Sequence, residues 1–316
     1  MRARYREVDR QGGKIMVLDA LRTGWERKLR SWPAWTAHRI SRLPAIERTR
    51  ETRYRSRLAA HASALPRLTG LDALICDGLR RNGIFKTSLE ALALPASADM
   101  FSVARQMAAD YAPKARERAA RGENFLMVPP AMIMMRPDLF AWGLNERLLN
   151  IAEAYLGLPP AYDGMAILHT IADGREQSTR RWHRDREDWR MLKIAIYLND
   201  VDGDGGPFEL DRRGEIATRA DDPSAVQSCP GPAGTVIFAD TARCLHRGRP
   251  AQRDRAALFY SYFSRRPRNS FFCERSGLSR AQVAALTRDL PPRQAESAQW
   301  FRALPSILRL IPTAPI

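Results

Sequence analysis

The feature that most constrains this chain is a change of period near residue 160. Before it, apolar residues recur at helical spacing; after it, they fall into short segments separated by turns rich in Gly, Pro and Asp. The segments are Met165–Ile171, Met191–Leu198, Pro207–Leu210, Thr235–Ala239 and Ala256–Phe263. Helices followed by short strands predict an α+β chain, with an antiparallel barrel or jelly roll and helices packed outside it. No internal repeat is visible.

The helical half carries its own punctuation. Leu71–Leu79 reads as a helix, and Asn82-Gly83 turns the chain into a short strand at Ile84–Lys86. Ser97 to Ala120 predicts a helix broken or kinked at Pro113, and Leu139 to Leu156 a helix stopped by Gly157 and Pro159-Pro160. The expected division is a basic, Trp-containing helical extension over 1–67, a catalytic-type domain over 68–275 and a helical or coil extension over 276–316.

Charge is placed unevenly. Residues 1–60 hold 16 Arg/Lys against 6 Asp/Glu, whereas the net charge of the whole chain is +16, so the arm dominates it. Trp25, Trp32 and Trp35 sit in that arm among Arg27, Lys28, Arg30 and Arg39. Such interleaving suits an anionic membrane surface or a nucleic acid, or a helix whose Trp residues pack on the domain. Trp300, Phe301 and Leu308–Ile311 extend the membrane reading to the other terminus. No apolar run approaches the roughly 20 residues of a membrane span, and the first residues lack a signal-peptide core. The expectation is a cytoplasmic protein with peripheral membrane contact through its termini. Cys76, Cys229, Cys244 and Cys273 lie too far apart for a metal knuckle and read as reduced, buried thiols.

Five histidines exist, and the chemistry gathers around two of them. His183 and Asp185 stand two residues apart, and on an extended segment both side chains point to one face. An imidazole and a carboxylate then converge on one ion, and His246, after the segment Thr235–Ala239, is the candidate third ligand. Two His and one carboxylate with open positions is the pattern of Fe(II) oxygenases. Arg255 opens the apolar segment Ala256–Phe263; a guanidinium entering a buried strand needs an anion, for which 2-oxoglutarate is a candidate, unless it faces solvent at the strand end.

Taken together, His183-Arg-Asp-Arg-Glu-Asp-Trp-Arg, Met191-Leu-Lys-Ile-Ala-Ile-Tyr-Leu-Asn-Asp, Gly205-Gly-Pro-Phe208, Ala233-Gly-Thr-Val-Ile-Phe-Ala-Asp, Leu245-His246-Arg-Gly and Arg255-Ala-Ala-Leu-Phe-Tyr resemble the bacterial branch of the phytanoyl-CoA dioxygenase family. The similarity covers about 70–270. It implies a double-stranded β-helix (jelly roll, cupin-like) with flanking helices, iron ligands His183, Asp185 and His246, and Arg255 on 2-oxoglutarate. The implied activity is an Fe(II)/2-oxoglutarate-dependent dioxygenase, a hydroxylase acting with O2 on a small-molecule or lipid-like substrate and releasing succinate and CO2. Two departures stand out: Asp211-Arg-Arg-Gly-Glu replaces the usual Pro-Gly-Ser-His turn, and Gly248 replaces a hydroxyl residue two after the distal His.

Alternation along Met191–Leu198 adds two candidates. Leu192, Ile194, Ile196 and Leu198 form one apolar face; Lys193, Ala195 and Tyr197 form the other, toward the barrel interior. Lys193 and Tyr197 are therefore candidate co-substrate contacts, or else a rim Lys and a core aromatic. His169 and Gln177, before the metal motif, are candidate substrate contacts, or else a core His and an exposed Gln. Two other classes compete: a non-catalytic barrel whose basic arm binds an anionic membrane or, less expected, nucleic acid, and a cupin-like metalloenzyme that needs no 2-oxoglutarate.

Overall fold

The computed structural model describes residues 31–316, except 124, 275, 312, 315 and 316. Trp25, Arg27, Lys28 and Arg30 of the arm lie outside the described residues. Helices occupy residues 31–41, Pro44–His61, Gly70–Asn82, Ser97–Ala120 and Glu146–Leu156, with shorter ones between and after them. The strands are β1 (Ile84–Ser88), β2 (Leu126–Met127), β3 (Pro160–Thr170), β4 (Leu192–Tyr197), β5 (Phe208–Asp211), β6 (Val226–Cys229), β7 (Thr235–Ala239), β8 (His246–Gly248) and β9 (Arg255–Ser264).

Two antiparallel sheets form. The larger has the order β1-β7-β4-β9-β3-β2 and the smaller β6-β5-β8. Alternation on β4 divides its side chains between two cores. Leu192, Ile194, Ile196 and Leu198 pack with the helices, together with Val236, Phe238, Leu258, Tyr260 and Tyr262 from neighbouring strands. Ala195 and Tyr197, on the other face, share a cluster with Ile237, Ala239 and Ala257 and with Phe208, Leu210 and Cys229 of the small sheet. The larger sheet is thus covered by helices on one face and meets the small sheet with the other.

Local signals explain most boundaries. The helix Glu146–Leu156 ends at Gly157, whose φ of 73° lies in the left-handed region where a Cβ is costly. It does not begin at Leu139, as the apolar spacing predicts. Pro137–Trp142 forms a separate helix, and Asn145 restarts the chain by accepting a hydrogen bond from the Arg147 N–H at 2.9 Å. The break expected at Pro113 is absent: the helix runs from Ser97 to Ala120. Tyr111 and Ala115 are buried on its inner face, and the carbonyl that Pro113 leaves without its helical donor belongs to Ala109, on the exposed side. All four cysteines are buried and free. No described helix is long and apolar enough to cross a membrane.

The terminal segments pack on the body. In helix 31–41, Ala34 is buried against Phe271 and Phe272, and the Trp35 and His38 rings meet Phe272 edge-on. Trp300, expected at a surface, is buried against Phe263 instead. Its indole is part of a third core with Met191 and Cys273, because the turn after residue 298 folds back onto β9 rather than away from it.

Candidate metal centre and anion pocket

The candidate ligands meet through backbone pairing. His183 and His246 exchange both peptide hydrogen bonds, His183 N–H to His246 O at 3.1 Å and His246 N–H to His183 O at 2.9 Å. Residue 183 thereby extends the small sheet beyond β8, and the two imidazole centroids lie 4.3 Å apart. Asp185 is held two residues on by its N–H to Thr241 O at 2.9 Å. One ligand atom from each of His183, Asp185 and His246 lies within 4.8 Å of the other two.

Each ring is oriented in the same way. His183 Nδ1 lies 2.8 Å from Arg181 O, and His246 Nδ1 lies 3.2 Å from Cys244 O. A carbonyl only accepts, so Nδ1 carries the proton in both rings and the lone pair lies on Nε2. His246 Nε2 faces Asp185 Oδ2 at 4.0 Å. Burial pulls the His246 pKa down to about 3, against the upward pull of Asp185, so its imidazole is neutral at physiological pH. Two imidazoles, that of His246 neutral, with one carboxylate fit a divalent transition ion such as Fe(II), which needs its ligands deprotonated.

These side chains line a cavity of about 850 Å³ that also contains Lys193, Tyr197, Gln177 and Arg255. Arg255 is placed by β9, opposite Thr170 of β3 in the register, and its Nη2 donates to Thr170 Oγ1 at 3.1 Å. Among the described residues no carboxylate pairs with it. Burial pulls its pKa below the usual guanidinium value, as does the nearby Arg180. Arg180, itself buried, is already neutralised by Asp173, with Nη2 3.1 Å from Oδ2. Among the described residues, one guanidinium at this end of the cavity is thus left without a counter-charge, which makes it a candidate anion site.

The remaining candidates separate. Lys193 reaches Asp185 Oδ2 at 2.6 Å, so its ammonium is engaged by a candidate metal ligand. Tyr197 borders the cavity, but its hydroxyl donates to Cys229 O at 2.8 Å and accepts from the Phe208 N–H at 2.9 Å, so it is engaged in joining the sheets. His169 borders the cavity, but its ring is turned to the helix Ser97–Ala120, with Tyr111 at 5.9 Å. Thr170 next to it faces Arg255, and strand alternation puts the two on opposite faces. Gln177 lines the cavity wall and donates to Asp173 at 3.3 Å. Thr170 was not among the sequence candidates, although its place one residue from His169 on a strand assigns it the opposite face. Gly248 stands out in the sequence only as a departure; in the fold a Cβ there would lie 2.5 Å from Arg255 Nη2, a proximity set by the folded register.

No family model matches the chain, and no curated protein sequence matches it. Among solved structures, it is similar to the non-heme alpha ketoglutarate dependent epimerase SnoN from nogalamycin biosynthesis, at 18% identity and a TM-score of 0.43 over 62% of this chain and 86% of that one. AviO1 from Streptomyces viridochromogenes Tue57 gives 18% and 0.44 over 63% and 97%. EctD from S. alaskensis with bound Fe gives 16% and 0.45 over 64% and 80%. At these scores the likeness assigns neither a fold nor an activity to this chain.

Proposed function

We propose that the protein is an Fe(II)- and 2-oxoglutarate-dependent dioxygenase built on a double-stranded β-helix, of the phytanoyl-CoA dioxygenase type, that hydroxylates a small-molecule or lipid-like substrate. The observation that carries this reading is the pairing, in one cavity, of a His-Asp-His ligand set with a guanidinium that has no carboxylate partner. A metal ligand set alone would suit many metalloenzymes. An uncompensated cation beside it calls for an anionic co-substrate, which a cupin-like enzyme without 2-oxoglutarate does not require.

In this reading His183 and His246 would hold the iron through Nε2 and Asp185 through its carboxylate. Iron, when bound, supplies the redox chemistry that couples decarboxylation of 2-oxoglutarate to succinate and CO2 with oxidation of a C–H bond. Arg255 and Thr170 hold the distal carboxylate of the co-substrate. Lys193 keeps the Asp185 carboxylate oriented, and the aromatic and aliphatic walls keep water from the reacting centre. Asp185 at this position favours hydroxylation over halogenation, since a small residue there would be needed to open a site for chloride.

Anaerobic addition of Fe(II) and then 2-oxoglutarate should produce a weak visible charge-transfer band, and air with a competent substrate should release succinate. Arg255→Ala should raise the 2-oxoglutarate concentration required for the band by about 100-fold, the cost of leaving a carboxylate without its charged partner. If the wild-type protein binds Fe(II) but gives no band with 2-oxoglutarate, the reading fails and a metalloenzyme without this co-substrate takes its place.

A further inference from the structure

The two ends of the described chain meet beside the cavity. Ala34 and Ala37 of helix 31–41, Phe271, Phe272 and, from the tail, Ile311 and Ala314 form one small apolar cluster. The Ala314 N–H donates to Phe271 O at 2.8 Å. Trp35 and Ala314 also line the cavity, so this junction is part of its wall.

Opposite the buried face of that helix, the helical period puts Trp32 and Arg39 on one outward line, with Ile40 beside it. Trp32 is 71% exposed, Ile40 52%, and Leu43, just past the helix, 53%. From the tail, Ile307 is 69% exposed and Leu310 76%, four residues and one residue before the anchored Ile311. Among the described residues, seven of the ten exposed large hydrophobic side chains fall within 32–46 and 307–310, two segments linked by the cluster that Ala34 and Ala37 share with Ile311.

The charge on these segments has one sign. Residues 31–43 contain Arg39 and Arg42 and no carboxylate; residues 300–311 contain Arg302 and Arg309 and no carboxylate. A two-fold pairing of this face with a second copy would set these four guanidiniums against four others with no acid to offset them. An anionic lipid surface supplies the opposite sign and an apolar layer beneath it, where Trp and aliphatic side chains insert.

We propose that this face, formed by Trp32, Ile40, Leu43, Ile307 and Leu310 with their flanking arginines, docks on an anionic lipid bilayer. Docking brings the Trp35 wall of the cavity next to the lipid, from which an amphipathic substrate can enter. The surface stands on its own chemistry and does not depend on the dioxygenase reading.

The test uses the full chain with vesicles of phosphatidylcholine alone and of phosphatidylcholine mixed with phosphatidylglycerol. Wild-type protein should sediment with the mixed vesicles, less so at high salt, and weakly with phosphatidylcholine alone. The exposed double variants Trp32→Ser/Leu43→Ser and Ile307→Ser/Leu310→Ser should each lower vesicle affinity by about tenfold or more, with thermal midpoints unchanged. Brominated lipids should quench the tryptophan emission of wild type more than that of Trp32→Phe. No sedimentation with mixed vesicles would overturn the proposal. So would undiminished binding by both double variants, which would assign lipid contact to residues 1–30. A concentration-dependent dimer abolished by the same variants, without vesicle binding, would assign the face to a second copy.

Discussion

Gly248 and Arg255 are in contact across the anion end of the cavity: a Cβ built at 248 would lie 2.5 Å from Arg255 Nη2. The absence of a side chain at 248 is what lets the guanidinium lie against β8. A hydroxyl residue at this place, which the resemblance led one to expect, would displace the arginine and not assist it. Gly248→Ser should therefore raise the KM for 2-oxoglutarate by about tenfold, equivalent to ~1.4 kcal/mol, with Fe(II) affinity unchanged. Separate metal and co-substrate titrations check this.

Removal of the carboxylate should act on the metal first. Asp185→Ala should weaken Fe(II) binding by about 100-fold or more, since it deletes the one anionic ligand of the set. If the protein is the dioxygenase proposed above, the variant should lose hydroxylation at least as much at subsaturating iron. Wild-type turnover in chloride should give no chlorinated product, as read by mass spectrometry.

Stability should depend strongly on a carboxylate three residues further on. Buried Asp188 accepts from the Ser264 N–H at 2.9 Å, the Ser264 hydroxyl at 2.6 Å, the Trp189 N–H at 2.9 Å and the Arg268 N–H at 2.9 Å. It joins the end of β9 to the loop that carries the metal motif. Asp188→Ala would leave four donors without their acceptor and should cost about 3 kcal/mol or more, measured by urea unfolding.

His169 sets an acid-side dependence. Burial lowers its pKa below the ordinary imidazole value of 6.5. Below about that pH the unfolded chain takes up a proton that the folded protein refuses, so stability falls as pH drops from 6.5 toward the folded-state pKa. His169→Phe should keep the packing against Tyr111 and make the acid-side loss shallower, by at most about 1.4 kcal/mol per pH unit. Unfolding midpoints across pH 7 to 5 measure the change.

Much of this architecture was legible because it rests on alternation. β1, β4, β5, β7 and β9 match, to within a residue or two, runs whose apolar residues the sequence already displays; β3 begins at Pro160, five residues before its expected start; and the two faces of β4 go to separate cores as their composition requires. β6 and β8 left no such trace: Val-Gln-Ser-Cys and His-Arg-Gly are short and largely polar, and they become strands only through pairing with β5. The same limit applies to the site. A spacing of two brings His183 and Asp185 to one side, but their nearness to His246 depends on backbone pairing across 63 residues of chain. The ring of His169 and the hydroxyl of Tyr197 were harder still, because their engagement depends on Tyr111, Cys229 and Phe208, which no local pattern connects to them.

The reciprocal backbone hydrogen bonds between His183 and His246 have a consequence for how a metal would be loaded at this candidate centre. The ladder imposes their backbone separation, so the approach of these two candidate ligands does not wait for an ion. Chelation should strip such a protein to a folded apoform that refills on demand, unlike small zinc domains that lose their shape with their metal.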